Sequence, residues 1–160
     1  MADYTLLKNV ILGSSASQID SGSGLDAKDF LFVEFYATTA GGNINCNFTF
    51  NGDTNQNYAI REQIDASSAS TNVNLSNTDN LTGTVNGDIY ATVFIVNKSD
   101  QAKLFYSLGQ ERPANSNNAG NRKIITGKWV NESAQITQVT ANSSANYGSN
   151  SYLRIYGAEI

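Results

Sequence analysis

The chain has 160 residues, with 10 Lys and Arg, 14 Asp and Glu, one Cys and no His. Because it has no imidazole, mechanisms that use His as a general base and metal sites that use His ligands are excluded, which removes most hydrolases and most zinc sites. The net charge of −4, with no run of Lys or Arg, argues against nucleic acid as a partner, and nothing predicts a cofactor.

The N-terminal segment predicts a first strand rather than a targeting signal. It has neither the basic start nor the apolar stretch of a signal peptide. No run of 18 apolar residues occurs, so we also expect no membrane span. Residues 5–12 are apolar enough for a strand, and residues 26–30, with acids near their start, predict one short helical turn.

The two most continuously apolar segments, residues 30–36 and 89–96, predict central strands. Both offer apolar side chains to two sides, as strands buried on both faces do. Glu34 interrupts the first of them. A carboxylate facing inward there would need Arg61 or Arg154 as a partner or would have a raised pKa. The alternatives are a Glu34 side chain in solvent, one at a subunit contact, and a catalytic acid.

Residues 43–50 predict a half-buried strand, because apolar and polar side chains alternate along them. Cys46 lies in this strand and has no partner for a disulfide or a thiolate metal site, so we expect a small buried apolar residue. Asn51-Gly52 follows at once and is the strongest short turn signal. It predicts a hairpin to a strand over residues 58–64.

The oxygen atoms of Asp53, Asn55 and Asn57 fall on alternate residues, as at the start of a calcium-binding loop. The pattern then fails, because the sixth position from Asp53 is not Gly and the twelfth is Ile64, where a bidentate Glu is needed. We therefore predict a hairpin turn stabilised by asparagines and no metal site.

The rest of the chain continues in short strands and polar turns. Further strands are expected at residues 72–75, 103–108, 123–130, 134–140 and 152–156. Turn-rich stretches, including 115–120 and 142–150, separate them, and Trp129 is expected in the core. Eight to ten short strands without an amphipathic helix predict an all-β fold, an antiparallel β-sandwich with the jelly roll as preferred topology. We expect one domain over residues 1–160.

Tyrosine is the most frequent aromatic residue, with 8 copies, and it lies among 51 Asn, Ser and Thr residues. Such tyrosines can stack on sugar rings or form part of a protein interface. The candidates for a glycan or interface contact are Tyr36, Tyr58, Tyr147 and Tyr152. The alternative is a half-buried tyrosine whose hydroxyl group bonds to a loop carbonyl.

Three short segments stand in an order that spans nearly the whole chain. The first is FTFNGDTNQNY at residues 48–58, the second is GKWVN with AQITQV at 127–131 and 134–139, and the third is LRIYG at 153–157. They resemble the FNGDTGxNY hairpin, the Trp strand with the strand after it, and the L-x-I/L-Y-G ending of a family of small virion proteins of tailed, marine-type bacteriophages. The chain departs from that pattern at Asn55-Gln56, where Thr/Ser-Gly is usual.

The resemblance implies a jelly-roll-like protein of a capsid decoration, head fibre or tail fibre, and its motifs carry no catalytic residue. We therefore expect a non-enzymatic capsid decoration protein that self-associates, as a homotrimer, and binds the major capsid protein on the outside of a phage head. It would be made in the host cytoplasm. The alternative is a receptor- or glycan-binding domain of a fibre, with a host surface glycan as its partner, and an enzyme is the third hypothesis.

Overall fold

The computed structural model describes residues 3–65, 68–114, 117 and 120–159. These residues form eleven strands and no helix, so they contain no helical segment that could cross a membrane. The strands are β1 (Thr5–Ile11), β2 (Ala16–Asp20), β3 (Phe30–Ala37), β4 (Asn47–Phe50), β5 (Tyr58–Ile64), β6 (Ser70–Leu75), β7 (Gly87–Val96), β8 (Lys103–Pro113), β9 (Arg122–Trp129), β10 (Val139–Tyr147) and β11 (Tyr152–Ala158).

The strands form two antiparallel sheets, which confirms the predicted β-sandwich. The large sheet has eight strands in the order β1-β11-β3-β7-β8-β9-β5-β6, and the small sheet has three in the order β2-β10-β4. The described strands thus exceed the expected eight to ten by one and divide unequally between the sheets. The unpredicted strand is β2, in which Ile19 is the one fully buried apolar side chain, so its sequence carries little periodic signal.

Aromatic side chains hold the two sheets together. Phe35 of the large sheet contacts Phe48 and Tyr147 of the small sheet, with ring centroids 6.1 and 5.4 Å apart. Phe50 of the small sheet likewise meets Trp129, with centroids 6.0 Å apart. Cys46 and Trp129 are both 0% exposed, which confirms their predicted burial.

The connection between β4 and β5 contains the predicted turn but is not a hairpin. Asn51 and Gly52 both have positive φ, 52° and 67°, and the Asp53 N–H donates to the Phe50 carbonyl at 2.9 Å. These are the features of a type I′ turn. However, β4 belongs to the small sheet and β5 to the large one, so the turn carries the chain across the sandwich.

Three other segments differ from their predicted structure, and in two of them asparagine side chains take over backbone hydrogen bonds. The strand expected over residues 134–140 begins only at Val139, since Asn97 and Asn51 accept the N–H groups of residues 136–138. The Asn- and Ser-rich residues expected as turns after 142 instead continue strand β10. The helical turn expected at 26–30 is absent from this described stretch, whose carbonyls bind Asn97.

Candidate functional site

The outward face of the large sheet is the most unusual surface of the molecule. Along β3 and β7, every second side chain is buried against the small sheet, while the intervening ones are half-buried or exposed. β3 and β7 do lie mid-sheet, as expected, but the prediction that both of their faces are buried is wrong. The reason is that the small sheet covers one face only, so the apolar side chains on the other face meet solvent.

Four aromatic rings form a row across this outward face. Tyr156, Phe32, Phe94 and Tyr106 stand opposite one another on β11, β3, β7 and β8. The Phe32 centroid lies 4.8 Å from that of Phe94 and 5.9 Å from that of Tyr156. Tyr4 adds an edge contact to Phe32, at 6.5 Å. At these separations the rings of Tyr4, Phe94 and Tyr156 pack on that of Phe32, and Tyr106 extends the row by one strand without a recorded ring contact.

We define the apolar patch as this row with its apolar neighbours, namely Tyr4, Leu6, Phe32, Phe94, Leu104, Tyr106 and Tyr156. Within it, Phe94 is 49% exposed and Leu104 is 55% exposed. Taking about 200 Å² for each large side chain, the patch exposes roughly 500 Å². That area is near the upper end of the range for the largest apolar patch of a monomer, and such patches are often functional.

Cations adjoin the patch on one side. The outward positions of the strands from β11 to β5 carry five Lys or Arg and two acids, so half of the 10 cations of the chain but only 2 of its 14 acids face this way. Arg154 and Arg112 pair with the two acids, Glu34 and Asp88. The remaining three cations have no ion-pair partner among the described residues. They form the basic flank on β5 and β9, namely Arg61, Arg122 and Lys128.

Glu34 lies on the outward face and pairs with Arg154, not with Arg61. Its carboxylate accepts hydrogen bonds from Arg154 Nη1 at 3.3 Å and from the Tyr152 hydroxyl at 3.1 Å. Burial and the nearby Glu34 carboxylate raise the pKa of Tyr90 above its ordinary value. Burial and this carboxylate together raise the pKa of Tyr152 to about 12. With two side-chain donors on the neighbouring strand β11, the Glu34 carboxylate serves to hold two strands together.

Tyr36, Tyr90 and Tyr152 form a second aromatic level, four residues along the strands from the first. The Tyr36 and Tyr152 rings lie 5.6 Å apart, and the Arg154 guanidinium lies over the Tyr152 ring at 4.2 Å. The Tyr36 hydroxyl donates to Asp88 at 3.2 Å. Two of the four predicted contact residues, Tyr36 and Tyr152, therefore reach the outward face and lie together.

A cavity of about 420 Å³ opens at this end of the sheet. We call it the tyrosine pocket and define it by five of its lining residues, Tyr36, Asp88, Tyr90, Gln110 and Arg112. They come from three adjacent strands, β3, β7 and β8. The pocket thus combines two aromatic rings with a carboxylate, a guanidinium and a primary amide.

The prediction of surface contacts for Tyr58 and Tyr147 is wrong, because both side chains lie in the core and are 1% and 0% exposed. The Tyr58 hydroxyl donates to the Asp53 carbonyl at 3.1 Å and accepts from the Phe50 N–H at 2.9 Å. The Tyr147 hydroxyl donates to the Asn45 carbonyl at 3.0 Å. Both rings follow the alternative of a buried tyrosine bonded to a loop carbonyl, and burial raises both pKa values.

The Asp53 side chain binds Trp129 and the asparagines of the β4–β5 turn, and its surroundings do not resemble a calcium site. Its carboxylate accepts hydrogen bonds from the Trp129 indole N–H at 2.6 Å and from the side-chain amide nitrogens of Asn55 and Asn57 at 3.0 and 2.9 Å. These amides therefore point nitrogen, not oxygen, at the shared centre. The part of the chain that the structure describes contains no group of three or more Cys, Asp and Glu residues that could hold a metal ion.

Comparison with known proteins does not identify a family for the chain. No family model and no curated protein matches the chain. One similar solved structure is the CBM40 domain of the Ruminococcus gnavus IT-sialidase, bound to α2,6 sialyllactose. It has a TM-score of 0.32 and 6% sequence identity, over 95% of this chain and 93% of that chain. A similarity at this level assigns no function to the chain.

The apolar patch and the basic flank were missed in the sequence. The signal was present, since the aromatic residues Phe30, Phe32 and Tyr36, and likewise Tyr90 and Phe94, stand at even spacings and so share one side of their strand. A strand with apolar side chains on both faces has the same sequence pattern whether its second face is covered by another sheet or by an external partner. The pattern alone therefore could not distinguish a buried strand from an interface strand.

Proposed function

We propose that the chain is a non-enzymatic structural protein of a tailed-phage particle, a capsid decoration protein that binds the outside of the head through the apolar patch. The observation that carries this proposal is the exposed aromatic row over four neighbouring strands. The rings of Tyr156, Phe32 and Phe94 pack on one another and, with Tyr106 on the next strand, offer an extended aromatic surface of the kind that protein interfaces have.

The basic flank indicates the charge of the partner. Lys128 stands opposite Leu104, and Arg61 stands opposite Thr126, the partner of Tyr106, so a surface that covers the patch also meets two unpaired cations, while Arg122 lies further along β9 opposite Gln110. Two copies packed patch to patch would bring these like charges together when the flanks face each other, and an arrangement that separates them leaves the cations without acidic partners. An acidic protein surface neutralises them instead. The apolar patch and basic flank together approach the roughly 800 Å² that each partner contributes to a standard interface.

The resemblance to small virion proteins supplies the identity of that partner. We take it to be the major capsid protein of the phage head. The expected homotrimer would use other surfaces of the sandwich and leave the outward face of the large sheet free for the shell.

Two experiments test this function. In purified particles, mass spectrometry should find the chain in a fixed, high ratio to the major capsid protein, whereas a ratio equal to that of tail proteins would contradict a decoration role.

The second experiment measures binding to particles that lack the chain. The double variant Leu104→Ser, Tyr106→Ser should bind to them at least about tenfold more weakly than the unmodified chain. The matched control is Val73→Ser, which removes a side chain 60% exposed on β6, outside the patch, and should bind normally.

A second candidate function, glycan binding at a fibre, is favoured by the tyrosine pocket alone. Its rings and polar groups are the types that hold sugars, and the volume falls in the range of small-molecule sites. A glycan array on which the chain has no ligand would remove this candidate and leave the docking function intact.

A further inference from the structure

We propose that the tyrosine pocket binds a neutral hexopyranose, with the Tyr90 ring as the stacking platform and Asp88, Gln110 and Arg112 as partners of the sugar hydroxyl groups. This inference extends the second candidate function, and it does not depend on docking of the apolar patch.

Tyr90 is the aromatic residue of the second level whose ring is available. It is 40% exposed, and no aromatic pair among the described residues includes it. Its hydroxyl group is near enough to Glu34 on the neighbouring strand for that carboxylate, together with burial, to raise the pKa of Tyr90. Tyr152, in contrast, is covered by the guanidinium of Arg154 and has the ring of Tyr36 beside it. A pyranose can therefore stack on Tyr90 but meets other side chains at Tyr152.

Polar groups surround this platform on the same side of the sheet. Gln110 stands directly opposite Tyr90 on β8, and Arg112 stands opposite Asp88 one level further along. Asp88 accepts hydrogen bonds from Tyr36 and Arg112, which orients its carboxylate. A carboxylate accepts hydrogen bonds only, a guanidinium donates only and a primary amide does both. Neighbouring sugar hydroxyl groups, each a donor and an acceptor, match this set.

The charge balance of the pocket selects a neutral sugar. Asp88 and Arg112 form one ion pair, and Glu34 and Arg154 form another beside it, so the four charges cancel. An acidic sugar would find both guanidinium groups already paired and carboxylates close by, since Glu111 lines the pocket as well as Asp88. Of the basic flank, Arg61 and Lys128 lie away from the pocket, and Arg122 stands opposite Gln110 but does not line it.

The pocket is separate from the apolar patch. Its tyrosines lie four residues along the strands from Phe32 and Phe94, or about 14 Å at the rise of an antiparallel strand. A variant of one surface therefore leaves the other unchanged, which gives each proposal its own control.

The experiment is a titration of the full chain, followed by NMR, with the methyl glycosides of glucose, galactose, mannose and N-acetylglucosamine at up to about 10 mM. We expect at least one to bind with a dissociation constant on the order of 1 mM and to show saturation transfer from a tyrosine ring. Tyr90→Ala should weaken binding at least about tenfold. Tyr90→Phe keeps the ring and should stay within about threefold, since the proposed contact is stacking on the ring and not a hydrogen bond to its hydroxyl group.

The matched control is Tyr106→Ala, which removes a tyrosine 43% exposed on the same face but outside the pocket, and it should leave sugar binding unchanged. If Tyr106→Ala weakens binding as much as Tyr90→Ala does, the assignment to the pocket is wrong. Binding restricted to acidic probes, N-acetylneuraminic acid and methyl glucuronide, would keep glycan binding but overturn the neutral ligand. No binding of any probe would overturn both.

Discussion

At the scale of single residues, Asp53 connects the β4–β5 turn to the aromatic centre of the core. Its carboxylate binds the indole N–H of Trp129, and its carbonyl binds the hydroxyl group of Tyr58. Both rings pack against Phe50, with centroids 6.0 and 5.8 Å away. The sequence singled out Asp53 as a doubtful calcium ligand, because the partner that explains it, Trp129, lies 76 residues away in the chain.

We predict that Asp53→Ala lowers the free energy of unfolding by about 2–3 kcal/mol, because it leaves the buried Trp129 N–H without an acceptor. Chemical denaturation followed by Trp fluorescence measures this loss. Trp129→Phe is a poorer test because it also opens a cavity. Asp53→Asn keeps an acceptor for the Trp129 N–H, so it should lower the free energy of unfolding less than Asp53→Ala does. Equal losses for the two variants would contradict the account.

The same carboxylate predicts the dependence of stability on pH. Burial acts to raise the pKa of Asp53, but the hydrogen bonds from Asn57, Trp129 and Asn55 outweigh burial and lower the pKa below its ordinary 3.8. Since the folded pKa is lower than the unfolded one, the contribution is present above the unfolded pKa and is lost as pH falls through the folded pKa. The stability difference between the unmodified chain and Asp53→Asn should therefore shrink between about pH 5 and pH 2. A difference that stays constant over that range would refute this explanation.

At the scale of elements, asparagine side chains decide where the strands begin and end. Asn51 accepts the N–H groups of Thr137 and Gln138 at 2.8 and 3.0 Å and donates to the Gln135 carbonyl at 2.8 Å. This is why a strand expected from residue 134 starts at Val139. Eight of the expected strands overlap observed ones closely, because alternation of apolar residues is a local signal. Strand ends fixed by distant amides have no local signal and could not be predicted.

Asn51→Gly tests the role of the side chain without disturbing the turn, since Gly adopts positive φ freely. We predict a loss of about 2–3 kcal/mol of unfolding free energy from three hydrogen bonds, with hydrogen exchange accelerated at residues 135–138. The comparison is Gly52→Ala, where φ is 67° and no atom lies within 4 Å of an added Cβ. That variant should cost only about 1 kcal/mol, from backbone strain. A loss for Gly52→Ala as large as that for Asn51→Gly would show that backbone conformation, not the amide, fixes the segment.

At the scale of the whole molecule, the small sheet buries one face of the large sheet and leaves an aromatic face beside a basic flank. The sequence predicted the fold class from strand spacing, and it placed Tyr36 and Tyr152 on a contact surface. It could not place Phe94, Leu104 and Tyr106 there. The opposite sheet decides which face of a strand is covered, and the residues of the strand itself do not show this. The excess of cations on the outward face of the large sheet was also not visible in the sequence. The net charge of −4 is a sum over the whole chain and does not show how charges are distributed over its surface.

Docking on an acidic surface predicts a dependence on salt. Affinity for the particle should fall as ionic strength rises from about 0.15 to 1 M, where the screening length shrinks from about 8 to 3 Å. Arg61→Glu and Lys128→Glu should each weaken binding and flatten that dependence. Lys28→Glu makes the same change of charge outside the flank and should bind as the unmodified chain does. Binding that strengthens with salt for all variants would indicate a purely apolar contact and would remove the argument for an acidic partner.

Electron cryomicroscopy of purified phage particles that contain the chain would show whether the outward face of the large sheet is a virion interface. We expect density for the sandwich on the outside of the head, with Phe94, Leu104 and Tyr106 against the major capsid protein. Density in which those three side chains face solvent, or in which the chain occurs only on the tail, would contradict it.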